Sequence, residues 1–289
     1  YELMELFPGA DVVFASHHWP IWGTEKVQQY LGLQRDLYKY LHDETLRLAN
    51  HGLTPIEIAE EIKLPESLSK EFANRDYYGT VNHNVKAIYQ LYFGWFDANP
   101  ANLHPLPPQQ SAEKYVEFMG GADSIVERAA DCYQRGEFRW VAQVLNHVVF
   151  ADPSHKAARE LLARAYTQMG YQAEGGPWRD FYLSGAQELR FGAPKSRAIA
   201  SAGTVDTLKA VPINLFFDLL AVRLNGPKAA KTSFSLNFVF PDSGEKLFAS
   251  VGNGVLNYID GRTQDTADSS VTMSRQNWNK LSAGDTTLD

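Results

Sequence analysis

Ser233-Phe234-Ser235-Leu236-Asn237-Phe238-Val239-Phe240 alternates apolar and mostly polar residues, turns at Pro241-Asp242-Ser243-Gly244, and resumes as Leu247-Phe248-Ala249-Ser250-Val251. Successive side chains of a strand point to opposite faces, so the pattern predicts a β-hairpin with Phe234, Leu236, Phe238 and Phe240 on one face. Asn253-Gly254 predicts a type I′ turn into a strand over Val255 to Ile259, and Ser270 to Ser274 a further strand, together an antiparallel meander. Working back from the hairpin, Pro212 to Leu224 and Trp178 to Arg190 read as helices on either side of a stretch rich in Ala, Ser and Gly. From Gly175 onward the chain is therefore expected to be α+β, a sheet packed on the preceding helices.

Upstream of Gly175 the period changes to that of helices. Val27, Tyr30, Leu31, Leu37, Tyr38, Leu41, Leu46 and Leu48 predict one long helix from a Thr24 cap to Asn50, stopped by Gly52. Thr54-Pro55-Ile56-Glu57 combines an N-cap, a proline at the first helical position and an acidic first turn, so a short helix should run to Ile62; another begins near Glu66. Val85, Ile88, Tyr89, Tyr92, Phe93 and Phe96 give a helix from Asn82, and the proline-rich Asn102 to Gln110 reads as a linker. Between Ala122 and Tyr171 the order is helix, Gly136, helix, Asp152-Pro153, helix and Gly170, which resembles tetratricopeptide-type helix pairing; one and a half units are too few for a peptide-binding solenoid. Asp11 to Ala15 is a short apolar strand whose partner strands are expected upstream of Tyr1.

Composition narrows the function classes. The 289 residues carry a formal charge of −7 with no basic cluster, which argues against a nucleic-acid or anionic-membrane binder. No run approaches the roughly 18 apolar residues of a membrane span, and nothing states the compartment. Cys132 is the only cysteine, so internal disulfides and thiolate zinc clusters are excluded, and within a helix it reads as a small core residue. His17-His18-Trp19-Pro20 directly follows the Asp11 to Ala15 strand, a position from which a histidine can be aimed at a metal. Neighbours in extended backbone face opposite ways, so at most one of the pair would reach a given ion. The plain alternative is one exposed histidine and one hydrogen-bonded in the core.

Longer strings carry a family resemblance. Val12 to Gly23 (VVFASHHWPIWG), Gln34-Arg35-Asp36-Leu37-Tyr38, Tyr77-Tyr78-Gly79-Thr80, His83 to Gln90 (HNVKAIYQ), Gly94 to Leu103 (GWFDANPANL), Asn146 to Pro153 (NHVVFADP) and Phe216 to Leu224 (FFDLLAVRL) resemble the type III alkyl sulfatases. The resemblance covers nearly the whole chain. It implies a multidomain protein: residues 1–23 as the end of a metallo-β-lactamase-type αββα catalytic domain, 24–174 as an all-α dimerisation domain, and 175–289 as a domain similar to sterol carrier protein 2 (SCP2-like) that continues past Asp289. It implies zinc, two ions in the complete enzyme, an alkyl sulfate substrate such as dodecyl sulfate, and a homodimer. Residue by residue it implies His17 as a zinc ligand, Tyr78 as a sulfate contact, and His18 and Trp19 as neighbours behind them. Relatives often carry Arg where Leu91 stands. The H-x-H-x-D-H metal signature is absent here, so this chain alone is expected to be inactive.

The apolar face of Phe234 to Phe240 would, on this reading, either take up the alkyl chain or be plain core. The competing classes are a non-enzymatic helical adaptor fused to a lipid-carrier fold, and a tetratricopeptide scaffold. The aromatics of Thr24 to Asn50 and Asn82 to Phe96 exceed the needs of one small bundle and point to an interface between copies.

Overall fold

The computed structural model describes residues 1–193 and 209–285, which fall into two compact units, Tyr1–Pro194 and Lys195–Asp289. The first unit opens with α1 (Glu2–Leu6) and a hairpin of β1 (Val12–Ala15) and β2 (His18–Trp22), paired antiparallel with Val12 opposite Trp22 and Ala15 opposite His18. The partner of Val12–Ala15 is thus the His18–Trp22 segment itself, where strands upstream of Tyr1 had been expected. The turn closes because Ser16 and His17 reverse the chain, which makes His18 a strand residue. No αββα layer is present among the described residues.

Helix α2 (Thr24–Asn50) buries Val27, Leu37, Leu41 and Leu48 along one stripe. Gly23, at φ +93°, is its cap, and Thr24, read from sequence as the cap, is the first helical residue. In α3 (Pro55–Glu61) the capping box forms as read: the Glu57 carboxylate accepts from the Thr54 N–H at 2.9 Å and hydroxyl at 2.7 Å. After α4 (Glu66–Ser69), α5 (Val81–Phe93) lays Val85 and Tyr89 on Leu37, Leu41, Ile58 and Ile62, closing the first core. The helix stops at Gly94, so Phe96 lies beyond it.

A second core joins α6 (Pro108–Phe118), α7 (Ala122–Gln134), α8 (Phe138–Ala151) and α9 (Lys156–Gln172) through Ile125, Val141, Leu145, Val148, Leu161 and Leu162. Helix α6 starts inside the stretch expected to be linker, because Pro107 and Pro108 suit a helix start, where no N–H needs an intrahelical partner. Gly170 does not end α9. It lies within the helix, where a Cβ would come within 2.9 Å of Leu183, so it admits α10 (Gly176–Phe191) to close packing. Helix α10 lies in the Tyr1–Pro194 unit.

The second unit holds α11 (Ile213–Arg223), α12 (Gly226–Ala229), β3 (Phe234–Phe240), β4 (Glu245–Gly252), β5 (Val255–Asp260), β6 (Ser269–Thr272) and α13 (Arg275–Ala283). β3 and β4 pair from Phe234↔Val251 to Phe240↔Glu245, and Asn253 and Gly254, at φ +54° and +78°, form the expected tight turn into β5. The sheet order is β5-β4-β3-β6, with β6 parallel to β3, so the expected antiparallel meander is corrected to a mixed sheet. The crossing is pinned by side chains: Asn237 accepts from the Gln264 N–H and donates to its carbonyl, both at 2.9 Å, and the Asp268 carboxylate accepts from the Ser235 N–H at 2.6 Å.

Phe238, Phe240 and Leu247 pack against Phe216 and Phe217 of α11 and Trp278 of α13. Of the two readings of the β3 face, an alkyl-chain surface or plain core, the packing at Phe238 and Phe240 is that of core, to which α13, lacking a legible apolar stripe, adds Trp278.

Candidate functional site

The residues singled out from sequence converge where the β1–β2 turn meets the loop 75–80. His17, on the turn, is exposed and stacks on Tyr78 with ring centroids 3.6 Å apart and planes 9° from parallel. One residue further on each side, the His18 Nδ1 is hydrogen-bonded to the Tyr77 hydroxyl. The His18 ring lies at 5.2 Å on Tyr30 of α2, and Tyr77 stacks on Phe72 at 5.5 Å. The two segments therefore meet in antiparallel order, 17 on 78 and 18 on 77, across about sixty residues of chain.

The loop is held by buried polar groups. The Gln34 side-chain amide donates to Asn74 Oδ1 at 2.6 Å, and the Asn74 Nδ2 donates to the Leu68 backbone carbonyl at 3.0 Å. The Asp76 carboxylate accepts from the Val81 N–H and the Thr80 hydroxyl oxygen from the His83 N–H, both at 3.0 Å, which together cap α5. On the far side the Gly176 N–H donates to the Tyr77 carbonyl at 3.0 Å. A cleft of about 610 Å³ opens beside these groups, walled by His17, His18, Tyr30, Gln34, Tyr38 and Tyr78.

Burial sets the charge states here. It lowers the His18 pKa below the ordinary histidine value and so favours the neutral ring, and it raises the Asp76 and Tyr77 values. The His18 Nε2 is buried and has no hydrogen-bond partner among the described residues.

A zinc ion takes four donors in a structural site and at least three from protein in a catalytic one. Among the described residues no three His, Cys, Asp or Glu side chains gather to hold a metal. At this corner the described residues offer one exposed imidazole, His17, and do not make up a donor set alone. Trp19 is 73% exposed and is not among the residues that wall the cleft, and Leu91 on α5 is exposed as well. Cys132 is half-buried in α7 and its thiol pKa is raised by burial, as suits an inert residue. Sequence reading overlooked Tyr77 and Asn74. Tyr77 stood in the string that drew attention to Tyr78, but its partner is 59 positions away.

Comparison with known proteins agrees with the resemblance. Residues 54–192 match the family model described as alkyl sulfatase dimerisation, and residues 201–289 the one described as alkyl sulfatase C-terminal. A linear primary-alkylsulfatase of Pseudomonas sp. is 52% identical over 277 residues, covering 96% of this chain and 41% of that protein. An alkyl/aryl-sulfatase of Saccharomyces cerevisiae is 49% identical over 278 residues, with 96% and 42% covered. The solved structure of a stereoselective inverting sec-alkylsulfatase from Pseudomonas sp. superposes with a TM-score of 0.92 at 41% identity, covering 99% of this chain and 45% of that one. The chain spans less than half the length of these relatives. With two adjoining family models over most of its residues, the chain belongs to the alkyl sulfatase family and carries the dimerisation and C-terminal regions of such enzymes.

Proposed function

We propose that this chain works within a longer zinc-dependent enzyme that hydrolyses alkyl sulfate esters, dodecyl sulfate among them, to the alcohol and sulfate, and that the His17–Tyr78 corner forms one wall of its active site. The observation that carries this is the stacked pair itself: two residues from distant segments are brought ring to ring at 3.6 Å beside a cleft. A phenol donates one hydrogen bond to a sulfate oxygen without itself carrying charge, the role given to Tyr78. His17 offers an imidazole nitrogen to a zinc ion whose other donors come from outside this chain, and zinc when bound supplies a water acidified toward neutrality. Tyr30, Tyr38 and Ile88 give the cleft apolar walls that suit the first carbons of an alkyl chain.

The same reading makes the protein a homodimer. The matched dimerisation region includes α5, whose Leu91, Tyr92 and Phe93, with Trp95 just beyond, are exposed. Phe14, Trp19 and Trp22 of the β1–β2 hairpin are also exposed, a surface suited to packing against the rest of a catalytic domain. No helix among the described residues is long and apolar enough to cross a membrane. The adaptor-plus-lipid-carrier alternative is disfavoured by the packed interior of the second unit, which leaves its β3 face no room for a lipid.

The test is sulfate release from dodecyl sulfate by the full-length protein containing this chain, with zinc content measured alongside, for the wild type, His17→Ala and Tyr78→Phe. His17→Ala should lose zinc and activity together, whereas Tyr78→Phe should keep its zinc and lose roughly 1–3 kcal/mol of transition-state stabilisation, as for one unpaired polar contact. Wild-type rates in both variants would remove His17 and Tyr78 from the site.

A further inference from the structure

Gly175-Gly176-Pro177 marks a shift of composition in the sequence, yet Gly175 is buried. Its backbone angles, φ −67° and ψ 122°, are open to any residue, so conformation does not require glycine here. Close approach does. A Cβ at Gly175 would lie 2.9 Å from the Asp76 carbonyl oxygen, 3.1 Å from the Thr80 methyl group and 3.3 Å from the Tyr78 carbonyl oxygen. On either side of it Glu174 pairs with Arg75 at 2.5 Å and the Gly176 N–H holds the Tyr77 carbonyl. The backbone of 75–78 is thus seated on 174–176, while its side chains meet the β1–β2 turn through the His18–Tyr77 bond and the His17–Tyr78 stack.

We propose that Gly175 and the Tyr77–His18 pair are positioning residues: they hold the Tyr78 loop between the start of α10 and the β1–β2 turn, and so place the Tyr78 hydroxyl relative to His17. The inference rests on the functional reading above. His17 and Tyr78 are both exposed, each on a short irregular segment, and an exposed ring pair alone would not fix two such segments in register. Their immediate neighbours supply the register, because His18 and Tyr77 point inward and are joined to one another and to Tyr30 and Phe72. The seat at Gly175 then sets the height of the loop, since any side chain there would lift the Asp76 and Tyr78 carbonyls together.

The experiment uses the full-length protein. Gly175→Ala should lower kcat/KM for dodecyl sulfate about tenfold to a hundredfold, the range expected from a displacement on the order of an ångström. Its zinc content should stay at the wild-type level, because His17 remains on its own hairpin; a general loss of structure would take the zinc as well. Tyr77→Phe keeps the ring on Phe72 and removes only the hydroxyl, so it decides the matter if Gly175→Ala does not fold. Crystal structures of both variants should show the His17–Tyr78 stack opened beyond 3.6 Å. In Gly176→Ala, where a Cβ would meet only the Tyr77 carbonyl at an ordinary 3.8 Å, the stack should persist. A stack unchanged in Gly175→Ala and Tyr77→Phe, or wild-type kcat/KM in both, overturns the proposal. If the wild type releases no sulfate the functional reading falls, and the stack geometry in the variants still decides this one.

Discussion

Replacing Trp278 by Ala tests whether the inner face of the second unit is core or binding surface. The indole is 8% exposed, stacks on Phe217 at 5.8 Å, and meets Phe216 at 5.3 Å, Phe238 at 5.4 Å and Phe240 at 5.8 Å. A buried indole covers about 150–250 Å², which at roughly 25 cal/mol per Å² is about 4–6 kcal/mol, an upper bound that assumes an extended unfolded chain. Against this stands the Nε1–H, buried with no partner among the described residues; removing such a group returns about 1–3 kcal/mol. Trp278→Ala should therefore cost about 1–5 kcal/mol, centred near the low end of the usual range for emptying a large aromatic site. Trp278→Phe, which removes the orphan donor but keeps one ring, should cost less than about 1.5 kcal/mol. Hydrogen exchange of the β3 and β4 amides across a urea series reads this locally, without interference from the helical unit. Dodecanol should restore protection to Trp278→Ala by entering the cavity and leave the wild type unchanged. The reasoning fails if Trp278→Ala costs under about 1 kcal/mol, or if dodecanol protects the wild type as strongly as the variant.

Three further outcomes follow from the helical unit. Thr54→Ala removes the capping box of α3 and should cost about 1 kcal/mol, seen as a lower Tm; an unchanged Tm would mean that α3 is held by packing alone. His147, stacked on Tyr115 at 4.4 Å, has its pKa lowered by burial from the model-peptide value of 6.5, so the unfolded chain takes the proton first as pH falls. The stability it contributes is present above that value and lost as pH falls below it, and the Tm of His147→Gln should decline less between pH 7 and pH 5 than that of the wild type. Leu91→Asp puts a charge on the exposed α5 face, where the side chain it replaces is 77% exposed, and should turn a sedimenting dimer into a monomer with its helical circular dichroism intact; a persisting dimer would place the interface elsewhere.

Local rules made much of this protein legible before any coordinates. The alternation through Phe234–Phe240 set which side chains face inward, and Asn253-Gly254 set the turn that pairs β4 with β5, because both depend on residues adjacent in the chain. The α3 cap was readable for the same reason, whereas α5, expected from Asn82, begins at Val81 behind a Thr80 cap. His17 and Tyr78 were reached through resemblance to a family, and the fold then brought those two side chains into contact.

What escaped the sequence depended on partners far along the chain. Alternation identifies a strand but not its neighbour, so the parallel docking of β6 on β3 waited on Asn237 and Asp268, whose bonds to Gln264 and Ser235 carry the crossing. Helix α13 was overlooked because its main apolar contribution is one indole, and only the sheet shows what that indole fills. Glycine was the hardest residue to read. Gly170 and Gly175 looked like a stop and the start of a second domain, yet each has backbone angles open to any residue and is needed because another segment approaches within the space of a Cβ. A sequence shows that a side chain is missing; whether conformation or a neighbour requires that absence is decided only when the tertiary structure brings the neighbour in.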